Sequence, residues 1–98
     1  MQAAQLAKQP ETFILDVRTQ QEYEGGHLER SKLIPLHELG GRLSELPADK
    51  AAPILVYCAV GGRSAMAAGL LKARGYSAVH NLSGGIAAWQ AAGLPVAR

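Results

Sequence analysis

Four times along the chain a short apolar run gives way, within a few residues, to a helical pattern. That alternation permits few architectures. In the first unit Phe13-Ile14-Leu15 leads into Asp16-Val17-Arg18 as a strand. Thr19-Gln20-Gln21-Glu22 then matches a capping box, opening a short helix that Gly25-Gly26 ends. Leu33-Ile34 reads as a brief second strand before Pro35, and Leu36, Leu39, Leu43 and Leu46 then fall on one helical face. Gly40-Gly41 weakens the middle of that helix, which predicts a bend or a split, and Pro47 ends it. Ile54 to Tyr57 is the third strand. The segment Ser64 to Arg74, closed by Gly75, is the helix after it, with Met66, Leu70 and Leu71 expected inward and Gly69 expected to approach the sheet closely. Ala78 to Leu82 is the fourth strand, Ser83-Gly84-Gly85 a turn, and Ile86 to Ala92 a last helix ended by Gly93 with Pro95 beyond. Gln2 to Gln9 adds a short helix with Ala3, Leu6 and Ala7 inward. Strands alternating with helices predict an α/β fold: a mostly parallel sheet of four to five strands, helices on both faces, and ligands at the carboxyl ends of the strands. With 98 residues, 48% of them hydrophobic, the expectation is one domain spanning 1–98.

The chain's single cysteine, Cys58, lies at one of those carboxyl ends. The loop Ala59-Val60-Gly61-Gly62-Arg63-Ser64 carries the chain from the third strand into the following helix. In such a turn the first helical N–H groups lack partners and the helix dipole adds partial positive charge, so an anion, including a thiolate, is stabilised there. A thiol ionises near pH 8.5 in the absence of such help, and helix N-termini or nearby cations lower that value. Arg63 supplies a fixed cation at the same opening, able to hold an anion through more than one hydrogen bond. A lone cysteine after an apolar strand is more often inert core. Here two adjacent glycines allow a close backbone approach and an arginine closes the turn, which argues for a reactive thiol instead.

Charge and composition narrow the partners. A formal net charge of +2, dispersed without a basic run, argues against nucleic acid, and no apolar stretch nears the length of a membrane span. The first residues, Met1 to Leu6, lack the pattern of a signal peptide. One cysteine forms no internal disulfide, and a free thiol suits a reducing cytosol. His27, His37 and His80 lie in unrelated segments with no second cysteine, so no metal and no cofactor are expected.

The ordered series Leu15-Asp16-Val17-Arg18, Glu22-Tyr23, Gly26-His27, Ile34-Pro35, Val56-Tyr57-Cys58, Gly61, Arg63-Ser64 and Leu82-Ser83-Gly84-Gly85, then Ala88-Trp89 and Ala92-Gly93-Leu94-Pro95, resembles a single-domain rhodanese. The likeness runs from about Phe13 to Val96. It implies a sulfurtransferase in which Cys58 takes a sulfane sulfur from a small donor such as thiosulfate, holds it as a persulfide, and passes it to a thiol or cyanide acceptor. The amides from Ala59 to Ser64 are then expected to point at the Cys58 sulfur, and Arg63 to bind the sulfonate-like end of thiosulfate. Displacement at sulfur needs an ionised thiol and an anion cradle, with no obligatory metal or general base. Two departures stand out. Ala59 and Val60 are small and apolar where many members carry a polar or charged residue, which predicts poor affinity for thiosulfate and a persulfide donor, protein-borne or of low molecular weight. The chain also starts close to its first helix, where related domains usually have an extra edge strand, so a truncation before Met1 is one expectation.

The chief rival reading is a cysteine phosphatase or arsenate reductase. Those enzymes place five residues between cysteine and arginine, whereas Ala59 to Gly62 are four, a tighter ring that suits a persulfide and excludes a tetrahedral phosphate. A second rival is a non-catalytic interaction module on the same fold, which usually lacks the cysteine. Asp16 and Arg18 read as a structural ion pair, His27 as the maker of a fixed hydrogen bond, Trp89 as packing and Glu22 as the capping-box partner. Gly84-Gly85 either forms a second anion nest or simply opens a helix. Oligomeric state is left open.

Overall fold

The computed structural model describes residues 2–98; Met1 lies outside them. The elements are α1 (Gln2–Lys8), β1 (Phe13–Asp16), α2 (Gln20–Glu24), β2 (Ser31–Leu33), α3 (Leu36–Leu39), a 3-10 turn (Leu43–Glu45), β3 (Ile54–Tyr57), α4 (Gly62–Ala73), β4 (Val79–Asn81) and α5 (Gly85–Ala91). The four strands form one sheet in the order β2-β1-β3-β4, and every pairing is parallel. This is the smaller of the two expected sheets. Strand order reverses between β1 and β3, so the carboxyl ends of those two strands border the crevice where an open parallel sheet holds its ligand.

Burial follows from this order. β3 is central, and all four of its residues are buried: Ile54 and Val56 face one layer, Leu55 and Tyr57 the other. The first layer packs Leu15, Val17, Leu39, Leu46, Ala67 and Leu71 together; the second joins Ile14, Leu28, Leu82, Ile86 and Trp89, with Ala3, Leu6 and Ala7 of α1 laid against it. Helices therefore cover both faces. Each fully buried aliphatic side chain contributes about 1.5–3 kcal/mol, which is how strands this short are held.

Local signals set the element ends. Thr19 caps α2 and Glu22 returns the bond to the Thr19 N–H, so the capping box is complete. The helix expected from Leu36 to Leu46 is split at Gly40-Gly41 into α3 and the 3-10 turn. Three expectations for α4 are corrected. It starts at Gly62, not Ser64, and its inward stripe is Ser64, Ala67, Ala68 and Leu71, which leaves Met66 69% exposed on the far side. Gly69 likewise lies on the open face, where an added Cβ would meet nothing within 4 Å, so it serves no close approach to the sheet. Leu71 is buried and Leu70 packs against the core, as expected; only Met66 was placed on the wrong side, in a helix whose alanines occupy both faces.

Candidate active site

Cys58 follows β3 directly, at the strand-order reversal, and its backbone is locked from the neighbouring elements. The Val17 N–H binds the Tyr57 carbonyl at 3.1 Å from the β1 side. On the other side the first amides of α5 are spent on the loop: Ile86 N–H donates to the Cys58 carbonyl at 2.9 Å and Ala87 N–H to the Ala59 carbonyl at 3.1 Å. Gly84-Gly85 therefore opens a helix whose donors are already engaged, and it forms no second anion nest. With the Ala59 carbonyl held toward α5, the same peptide plane turns the Val60 N–H the other way, where it helps hold the thiol down. Gly85 makes this approach possible, since a Cβ there would lie 2.4 Å from the Ala59 oxygen.

Gly61, in a left-handed conformation at φ 119°, then turns the chain into α4. Its N–H donates to Cys58 Sγ at 3.1 Å, and the Ser64 N–H donates at 3.3 Å. Of the six amides expected around the sulfur, these two lie within hydrogen-bond distance, and the Val60 N–H adds a weaker pull. Cys58 itself is fully buried and shares the core layer of Leu15 and Ala67, yet its sulfur is held by polar donors. Burial is the largest single influence on this thiol and pushes it up. The Ser64 hydroxyl with the Ser64, Gly61 and Val60 amides together outweigh it, so the thiol is held below its ordinary value.

The Ser64 hydroxyl lies 3.3 Å from Cys58 Sγ, 2.6 Å from Asn81 Oδ1 and 3.2 Å from the Gly61 carbonyl. It has one proton to give. Beside a neutral thiol that proton goes to Asn81, the shortest contact; beside a thiolate it turns to the sulfur. Ser64→Ala is therefore expected to raise the thiol's ionisation pH, read as slower alkylation at neutral pH in a rate–pH profile. An unchanged midpoint would mean that the proton never leaves Asn81. Asn81 was not singled out from the sequence, and only the packing of β4 beside β3 reveals it.

Arg63 is not free. Its Nη1 and Nη2 grip the two carboxylate oxygens of Glu22 at 2.7 and 2.9 Å. The Arg63 guanidinium is the main reason the Glu22 carboxyl is held down at about 2, helped by Thr19. Glu22 thus closes the capping box and also engages the cation expected to bind a donor. A cavity of about 340 Å³ lined by Val17, Arg18, Thr19, Pro35, Leu36, His37 and Arg63 opens beside this pair. Val60, two residues after Cys58, is 71% exposed, and Ala59 and Gly62 add no charge.

The remaining candidates are held by contacts within the fold. Arg18 and Asp16 are buried together, with Nη2 2.8 Å from Oδ2, and Arg18 also donates to the Gly26 carbonyl at 2.7 Å. His27 stacks on Tyr23, and its Nδ1 lies 2.9 Å from the Tyr23 carbonyl. Trp89 is buried, with Nε1 donating to the Pro95 carbonyl. Among the described residues no cluster of three or more His, Cys, Asp or Glu side chains is placed to hold a metal, and no helix is long and apolar enough to cross a membrane.

Known proteins are similar to this chain in sequence and in fold. The family described as the rhodanese-like domain matches residues 2–92. A sulfurtransferase from Allochromatium vinosum is 37% identical over 91 residues, covering 93% of this chain and 83% of that protein. A thiosulfate sulfurtransferase from Coxiella burnetii is 37% identical over 93 residues, with the same two coverages. Two further relatives are longer, and this chain spans 59% and 51% of their length. Among solved structures, a rhodanese-related protein from Thermoplasma volcanium superposes with a TM-score of 0.82 at 34% identity, over 89% of this chain and 84% of that one.

Proposed function

We propose, since the chain belongs to the rhodanese-like domain family, that it is a sulfurtransferase whose Cys58 carries a sulfane sulfur as a persulfide. The observation that supports this most is the pair of amides, from Gly61 and Ser64, donating to a buried sulfur at the head of a helix. The Cys58 thiolate attacks the outer sulfur of a donor R–S–SH. A new S–S bond forms, the donor's S–S bond breaks, and RS⁻ leaves with the electron pair. The resulting Cys58 persulfide loses its proton readily, and its outer sulfur projects past the first-turn amides of Gly62 and Arg63, which have no intrahelical acceptors. An acceptor thiolate then attacks that outer sulfur, and Cys58 departs as the thiolate, restoring the start. Backbone dipoles supply the stabilisation and no cofactor is required.

The donor is a persulfide in preference to thiosulfate. Val60 is exposed and apolar, Ala59 is small, and Arg63 is paired with Glu22, so the opening offers a dianion no unengaged side-chain cation. Chemistry that runs on a reduced thiolate suits a reducing compartment such as the cytosol. The test is intact mass after incubation with an uncharged alkyl hydropersulfide and, separately, with thiosulfate. A gain of one sulfur atom, removed by cyanide, is expected, with higher kcat/KM for the persulfide. A strong preference for thiosulfate would remove the donor assignment. No adduct with either donor would leave a binding module in place of an enzyme.

A further inference from the structure

We infer that Glu22 determines donor specificity: by gripping Arg63 it keeps the rim of the thiol site from presenting a free cation, and so selects against doubly charged sulfur donors. The inference rests on the sulfurtransferase reading and names the residue behind its donor preference. Three observations place Glu22 in this role. Its carboxylate is bound through both oxygens by Arg63, at 2.7 and 2.9 Å, which occupies the face of the guanidinium best suited to a sulfonate. The same carboxylate accepts from the Thr19 N–H at 3.0 Å and from the Thr19 hydroxyl at 3.1 Å, so it is anchored to the start of α2 and does not swing aside freely. The pair is part-exposed, at 33% for Glu22 and 38% for Arg63, and it borders a cavity that adds Arg18 and His37 from other elements. Arg18 is committed to Asp16 and Gly26. His37 lies 3.5 Å from the Glu38 carboxylate.

Charge counting gives the consequence. With Cys58 ionised, the thiolate, Arg63 and Glu22 sum to one negative charge at the opening. A thiosulfate dianion must approach that charge and break the ion pair to reach Arg63. Its reaction is Cys58–S⁻ attacking the outer sulfur, with the S–S bond to the sulfonate group breaking and sulfite leaving with the electron pair. The negative charge therefore concentrates on a departing dianion, next to the carboxylate of Glu22. A hydropersulfide brings at most one negative charge and expels a monoanionic thiolate, so it meets far less of this repulsion.

Glu22→Gln removes the charge but keeps an amide oxygen for the Thr19 donors, so the cap of α2 persists. Specificity is read as the ratio of kcat/KM for thiosulfate to kcat/KM for an uncharged alkyl hydropersulfide. The variant is expected to shift that ratio toward thiosulfate by about two- to fivefold, the scale of one part-exposed charge interaction. Glu22→Asp keeps the charge on a shorter arm and is expected to shift the ratio less than Gln does. A ratio that is unchanged in Glu22→Gln, or that moves toward the persulfide, overturns the inference. So does loss of reaction with both donors in a folded Glu22→Gln, which would make the carboxylate part of the chemistry. If the unaltered protein reacts with neither donor, the sulfurtransferase reading itself fails, a result distinct from the others.

Discussion

Cys58→Ser is expected to lower sulfur transfer to the uncatalysed background, a fall of at least about 10⁴-fold, while the fold survives. The serine hydroxyl fits the same space and accepts from the same donors, Gly61 N–H and Ser64 N–H. What is lost is the chemistry of sulfur. A hydroxyl remains neutral at neutral pH even in this cradle, and oxygen does not carry a sulfane sulfur as a stable intermediate. The chain has no second cysteine to take over. Turnover and intact mass are the measurements, with a thermal melt to show that the variant is folded. A folded Cys58→Ser that still gains sulfur from a persulfide would move the chemistry off this residue and end the proposed mechanism.

The parts of the site that lie close in sequence were legible; the parts that come from distant segments were not. Cys58, Gly61 and Ser64 fall within one strand-to-helix turn, whose amides must point somewhere, and the structure aims two of them at the sulfur. The capping box of Thr19 and Glu22 was legible for the same reason. Glu22, however, meets Arg63 across 41 positions of the chain. A local pattern assigns Glu22 one partner and cannot show that its other oxygen faces α4. Asn81 escaped notice, and Gly85 was read only as part of a helix-opening pair, because their roles depend on strand order, which places β4 and α5 against the loop after β3. Alternating strands and helices fix the architecture but not that order. The error at Met66 has another origin: Leu71 marks the buried face correctly, but the first turns of α4 bury only Ser64, Ala67 and Ala68, so no large side chain fixes the face there.

Gly85 is where the fold and the chemistry are hardest to separate, and Gly85→Ala is expected to damage both. A Cβ at this position would lie 2.4 Å from the Ala59 oxygen and 2.5 Å from the Cys58 oxygen, and both contacts are to backbone that cannot rotate away. The residue also holds φ at 64°, a left-handed conformation that costs an alanine roughly 1–2 kcal/mol. Relief requires α5 to back off from the loop, which stretches the Ile86–Cys58 and Ala87–Ala59 hydrogen bonds and leaves two buried carbonyls poorly paired. At roughly 1 kcal/mol or more for each bond, the total loss is about 3–5 kcal/mol, a large share of the stability of a small domain. Gly84→Ala provides the control. Its φ is 79° and its Cβ would collide with the Ala88 side chain at 2.6 Å, a clash with the first turn of α5 that touches neither the Cys58 nor the Ala59 carbonyl. Both variants should melt early, but only Gly85→Ala should release the peptide planes after Cys58. In the cold, where each is still folded, Gly85→Ala should then alkylate with the pH profile of an ordinary thiol and Gly84→Ala with that of the unaltered protein. If Gly85→Ala melts normally, or keeps the activated profile, α5 does not hold the cradle in shape and the amides must be oriented by the loop alone.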